Sequence, residues 1–271
     1  MTKHIVCYSG GHSSALVAIE VARKFGAENT VLLNHDINEW VESADIKRFK
    51  TQVSNYLGVP ITFANFKGVP SEEVPDQFDV VVQAAAFKVG AGQELCTSRL
   101  KTEPFMKYLQ DNHADKDCVI YYGFDANEKH RIQRRSGILG AQGYKSDYPL
   151  ATWKRTIQST KEVGIEPPNQ YNSFKHANCI GCLKAGKQHW YIVYCTRPDV
   201  WEKAKWSEEE IGYTIIPGVQ LEELEPVFEE MKRLEIPQTE HIDHRTFWAM
   251  VRKSGIDTST EQDRKPCECL F

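Results

Sequence analysis

The chain has 271 residues, with 33 Lys plus Arg against 37 Asp plus Glu and a formal charge of −4, so no overall basic character points to nucleic acid. That length supports a substantial core, in one large domain or in a domain with an appended lobe. No stretch approaches the roughly 18 apolar residues of a membrane span, and the opening MTKHIVCYSGG reads as a first strand without the longer apolar core of a secretory signal. The eight cysteines are therefore expected in a reducing cytoplasm, where close pairs bind metal or do redox chemistry more often than they staple a fold.

Short apolar runs at 5–8, 31–34 and 61–63 alternate with longer amphipathic ones at 15–25 and 41–57, which predicts β-α-β-α-β. Connections of this length are crossovers, so the expected fold is α/β: a Rossmann-like parallel sheet with helices on both faces. A fourth strand is predicted over 119–123. After Pro149 the pattern turns to helices and loops, with helical spacing of apolar positions over 226–234 and 244–253. The expected organisation is an α/β domain over 1–150 followed by a smaller helical, cysteine-bearing lobe over 151–271.

The first strand runs directly into Ser9, Gly10, Gly11, His12, Ser13 and Ser14, after which Ala15 to Ala18 open a helix. Glycines let backbone approach phosphate oxygens, and a helix N-terminus supplies unpaired N–H donors with a positive dipole end. The same segment also suits a plain tight turn with a serine cap. Its spacing matches neither the Walker loop nor the G-x-G-x-x-G fingerprint, which takes support from kinase and dehydrogenase readings.

This S-G-G-x-[DS]-S pattern resembles the pyrophosphate loop of ATP pyrophosphatases and sulfonucleotide reductases. Further segments follow in the order of the phosphoadenosine phosphosulfate (PAPS) reductase family, part of the PP-loop, adenine nucleotide alpha-hydrolase-like superfamily. They are Cys96-Thr97-Ser98-Arg99-Leu100-Lys101-Thr102-Glu103-Pro104-Phe105, Gly123-Phe124-Asp125-Ala126-Asn127-Glu128 with Arg131, Tyr148-Pro149-Leu150 with Trp153, and Cys179-Ile180-Gly181-Cys182. The resemblance covers roughly residues 4–195. It implies an adenine nucleotide, adenylyl sulfate or ATP, with its phosphates on residues 9–14. It further implies Asp36 near adenine or ribose, Gly123 beside the nucleotide, and Arg99, Lys101 and Arg131 against phosphate or sulfate, a task that suits the arginine fork. Many ATP-cleaving members carry aspartate where this chain has Ser13. Arg134 and Arg135 read as a solvated helix face.

Cys179 and Cys182 have the spacing with which two thiolates reach one zinc or one iron-sulfur cluster. Two ligand sets stay open: a cluster with Cys96 as a third ligand, or a four-thiolate zinc site completed by Cys267 and Cys269. In a third reading, Glu268-Cys269 resembles the C-terminal Glu-Cys of the reductases, where the thiolate attacks sulfur, although the Gly and His that follow there are absent here. Cys7 and Cys118 read as small core residues, and Cys195 as a reserve ligand.

The leading expectation is thiol-dependent reduction of adenylyl sulfate to sulfite, with Cys269 as nucleophile and a thioredoxin-like dithiol as reductant. The alternatives are ATP-dependent sulfur transfer to a nucleobase or other acceptor, the one reading with a nucleic-acid partner, and nucleotide binding without catalysis.

Overall fold

The computed structural model describes residues 2–89, 93–177 and 179–256. In chain order, β1 (Lys3–Cys7), α1 (His12–Phe25), β2 (Thr30–Asn34), α2 (Ala44–Leu57) and β3 (Ile61–Phe63) come first. They are followed by α3 (Gln77–Gln83), a short antiparallel pair of β4 (Lys88–Val89) and β5 (Gln93–Glu94), and α4 (Leu95–Thr97). A π-helical turn over Ser98–Thr102 leads into α5 (Glu103–Asn112), then β6 (Cys118–Tyr121), α6 (Lys129–Gly140), β7 (Lys145–Asp147) and α7 (Pro149–Thr152). Four helices close the described chain: α8 (Lys187–Thr196), α9 (Pro198–Ile211), α10 (Leu221–Arg233) and α11 (His244–Lys253).

Two compact units divide these elements. One takes the chain up to Val74 together with Leu100–Asn169, and the other takes Pro75–Arg99 together with the chain from Gln170. Thus the α/β unit runs about twenty residues past Pro149, and α3 to α4 join the helical unit.

The first unit is an α/β fold with a five-stranded, all-parallel sheet in the order β3-β2-β1-β6-β7. The central strand β1 alternates between two cores, as a strand covered on both faces must. Val6 and Tyr8 pack with Leu16, Ile19, Phe49 and Val53 of α1 and α2, whereas Ile5 and Cys7 pack with Phe105, Leu109 and Leu139 of α5 and α6. Buried Glu20 of α1 accepts hydrogen bonds from the amides of Thr156 and Ile157 and from the Thr156 hydroxyl, which fastens the segment after α7 across this helix. Strand β7 escapes the sequence reading because it is a three-residue edge strand, Lys-Ser-Asp, with no apolar run.

In the second unit, Trp190 and Tyr191 of α8, Trp201 of α9, Phe228 of α10 and Phe247 of α11 are all buried. Their rings meet edge-on or tilted at 5.6–6.2 Å between centroids, the offset geometry that aromatic quadrupoles favour. Lys203 of α9 reaches Asp76 at 2.6 Å and Asp79 at 2.7 Å, which ties α3 to this helical core.

Candidate nucleotide-binding site

The chain leaves β1 toward β2 on one side of the sheet and later adds β6 on the other, so the carboxyl ends of β1 and β6 flank a topological switch point. Crevices outside such points are where open α/β sheets bind ligands. The segment Ser9 to Ser14 lies at this end of β1. Gly10 has φ 83, and a Cβ there would sit 2.7 Å from Lys50 Cγ, so a side chain is excluded by conformation and by space. Gly11, at φ −81, is the N-cap of α1, which has neither a side-chain cap nor an acidic residue in its first turn. The first-turn amides and the dipole of a 14-residue helix thus favour an anion at this end.

Gly123 packs directly against the start of α1. A Cβ on it would lie 3.0 Å from Ser13 C and from Ser14 N, so its bare backbone lets the β6–α6 loop close against the start of α1. The loop hydroxyls are partly engaged with each other, because Ser9 Oγ donates to Ser14 Oγ at 3.3 Å and Ser14 Oγ donates to Gly11 O at 2.8 Å. Ser13 is exposed. His12 Nε2 accepts the Thr160 amide at 3.2 Å, and burial lowers the pKa of the ring.

Asp36 follows β2 and is buried in an ion network. Its Oδ1 lies 3.3 Å from Lys50 Nζ and 3.4 Å from Lys47 Nζ, and Lys50 also reaches Glu42 at 2.8 Å. Burial pushes the Asp36 carboxyl up, but Lys50, the Ser71 hydroxyl, Lys47 and the Ile37 amide together hold it below the ordinary carboxylate range. Glu42 moves the other way, since its burial outweighs Lys50. The sequence reading missed Lys50 and Glu42. Lys50 lies four residues after Ile46 and three before Val53, on the buried stripe of α2, and a lysine at such a position implies a buried acidic partner.

Lys101 lies in the π-helical turn, a geometry that often marks functional positions. Its charge bears on the neighbouring His35, whose pKa falls to about 4, chiefly through burial and further through Lys101, against the hydrogen bond to Ala64 O. Arg131 stands over the Phe124 ring at 4.2 Å and pairs with Glu128, whose second oxygen accepts the Asp125 amide at 2.8 Å. The expectation for Arg135 needs correction. It is 5% exposed and lies over the Tyr122 ring at 5.2 Å, because it falls one helical turn after Arg131 on the inner face of α6. Arg134 is exposed, as expected.

The remaining candidates belong to the second unit. Arg99 is exposed at its edge, and Cys96 is half-buried in α4. Cys179 and Cys182 flank Gly181, whose φ of 73 and a Cβ that would meet Val200 Cγ1 at 2.6 Å demand glycine. Gln77 of α3 donates to Ile180 O at 2.9 Å and to Gly181 O at 3.2 Å, and Lys184 pairs with Glu94 at 3.4 Å. Glu94 and Lys184 each stand two residues from a candidate thiol, so this pair links the Cys96 segment to the C-x-x-C turn. Cys7 and Cys118 are buried core residues, with burial pushing the Cys7 thiol up to about 12 and the Cys118 thiol up to about 11. Cys195 is half-buried at the end of α8, where its thiol hydrogen-bonds Tyr191. Cys267 and Cys269 lie outside the described residues.

No family model matches the chain. It is similar to the uncharacterized nin region protein ORF290 of Escherichia phage lambda, at 23% identity over 207 residues, which span 68% of this chain and 67% of the phage protein.

Proposed function

We propose that the chain binds an adenine nucleotide with its phosphates on Ser9 to Ser14 and performs thiol-dependent reduction of an adenylyl sulfate. The observation that carries this reading is the uncapped start of α1, reached through Gly10 and Gly11 at the switch point of a parallel sheet. Lys101 and Arg131, in the same unit, supply cationic partners for phosphate or sulfate. In the proposed reaction the Cys269 thiolate attacks sulfur, an S–S bond forms, the S–O bond to the nucleotide breaks, and the nucleotide leaves. A thioredoxin-like dithiol then attacks the thiosulfonate and releases sulfite, and its second thiol closes a disulfide.

Cys96, Cys179 and Cys182 share one unit, and their soft sulfur donors would suit zinc or an iron-sulfur cluster, with a tail cysteine such as Cys267 as fourth ligand. Such a group would neutralise the paired thiolates of the turn and fix the tail.

Affinities for adenosine phosphosulfate, its 3′-phosphorylated form, ATP and AMP, measured side by side, test the reading. A sulfated nucleotide should bind tightest, and sulfite should form with dithiol in wild type but not in Cys269→Ser. Preference for ATP with pyrophosphate release would move the chain to ATP-dependent transfer, and binding without turnover would make it a nucleotide-binding protein. Gly11→Val, allowed by φ −81, should keep the fold and abolish nucleotide binding, and unchanged affinity would remove the loop from the site.

A further inference from the structure

We propose that His176, His189 and Glu240 form a binding site for a divalent transition metal of the zinc type, distinct from the cysteine thiolates. Among the described residues these three bring one ligand atom each within 4.8 Å of one another. Glu240 Oε1 lies 2.8 Å from His189 Nδ1, and Oε2 lies 3.5 Å from His176 Nε2. Zinc sits about 2.0–2.1 Å from nitrogen and oxygen ligands, so tetrahedral ligand atoms stand roughly 3.3 Å apart, and small side-chain movements suffice.

Burial and charge favour a cation. The side chains are 3% exposed at His189, 11% at Glu240 and 18% at His176. The ion partners of the Glu240 carboxylate are these two imidazoles, with no lysine or arginine paired to it among the described residues. A buried carboxylate facing two imidazoles is stabilised by a divalent ion without protonating either ring. Two imidazoles and one carboxylate suit zinc, cobalt or nickel better than calcium or magnesium, and three protein ligands leave a fourth position open.

The scaffold is fixed beforehand. Glu240 N donates to Ser173 O at 2.8 Å, Lys175 N donates to Glu240 Oε2 at 3.0 Å, and Gln188 Nε2 donates to Thr239 O at 2.8 Å and to Ile242 O at 3.1 Å. Phe174 walls the site, with its ring 5.1 Å from that of His189. The site also touches the C-x-x-C turn, because His189 Nε2 accepts the Cys182 amide at 3.4 Å. A metal on Nδ1 needs the other neutral tautomer, so the proton now donated to Glu240 moves to Nε2. The long Cys182 contact then gives way, so loading alters the hydrogen bonding of the cysteine turn.

The test is cobalt titration of the full chain freed of metal with a chelator, followed by zinc competition. The expected result is a saturable cobalt site with a nitrogen and oxygen ligand-field spectrum, displaced by zinc and retained in Cys179→Ser. Glu240→Gln and His176→Ala should each weaken it about tenfold or more while metal-free thermal unfolding of His176→Ala stays unchanged. If Glu240→Gln does not fold, His176→Ala decides alone. Absence of saturable cobalt, or a single site whose thiolate charge-transfer band survives His176→Ala and vanishes in Cys179→Ser, would overturn the proposal. A second, thiolate-type equivalent beside the first leaves it standing.

Discussion

The start of α1 and the Glu240 cluster attract ions of opposite sign because they are built from opposite kinds of atom. At α1 the groups on offer are backbone amides at an uncapped helix end, and glycine keeps side chains away from them. Around Glu240 the groups are a buried and a half-buried imidazole meeting one half-buried carboxylate from segments more than fifty residues away. Histidine shows the same contrast. His35, near Lys101, is held neutral, whereas His189 donates to a carboxylate. A backbone-built site depends on what is absent at each position, and a side-chain-built site on what is present.

The largest expected effect comes from placing a side chain at Gly10. Gly10→Val combines left-handed backbone strain with overlap on buried Lys50, and it should lower stability by roughly 3–5 kcal/mol in urea or thermal unfolding. Gly11→Val should leave stability nearly unchanged while nucleotide binding is lost. Equal stability losses at both positions would erase the distinction between a glycine needed by the fold and one needed by a ligand.

The next effect is acid sensitivity just past the carboxyl end of β2. His35 has a pKa of about 4 when folded against an ordinary 6.5, so between these values the unfolded chain binds more protons. Stability therefore falls as pH drops from about 6.5 to about 4, by about 3 kcal/mol in total from this group. In His35→Gln that part of the acid limb should disappear from urea midpoints measured across this range. An unchanged limb would show that the imidazole is not the group held neutral.

Local pattern made the parallel sheet and the glycine turn into α1 legible: β1, β2 and β3 are apolar runs, and residues 9–14 are contiguous. What stayed hidden depends on contacts distant in sequence. Nothing near Lys-Ser-Asp at 145–147 signals a strand, because its partner β6 supplies the hydrogen bonds. Residues 75–99 look like part of the α/β domain until Gln77, Asp76 and Glu94 find partners at 180–203. His176, His189 and Glu240 were invisible for the same reason, since no spacing rule joins a loop after α10 to the start of α8. Arg135 was misread because the charge of the side chain outweighed its position on the inner stripe of α6.

The smallest effects separate the three arginines of α6. Arg131 stands over Phe124, with Glu128 fixing one side of its guanidinium, so Arg131→Ala should weaken sulfated or polyphosphorylated nucleotides by roughly 1.5–3 kcal/mol and adenosine far less. Equal losses for both ligands would make Arg131 a structural residue like Arg135, whose stem and charge are packed over Tyr122. Arg134 is the control that gives this meaning. It is exposed, three residues from Arg131, and carries the same charge into the same field, so any long-range attraction of α6 for an anionic ligand should register at Arg134 nearly as well. If binding depends on a placed fork, Arg134→Ala should change affinity and stability by no more than about 0.5 kcal/mol. A loss at Arg134 matching that at Arg131, fading together with it as salt is raised, would mean that α6 attracts nucleotide as a diffuse positive surface and that the stacking of Arg131 on Phe124 has no part in recognition.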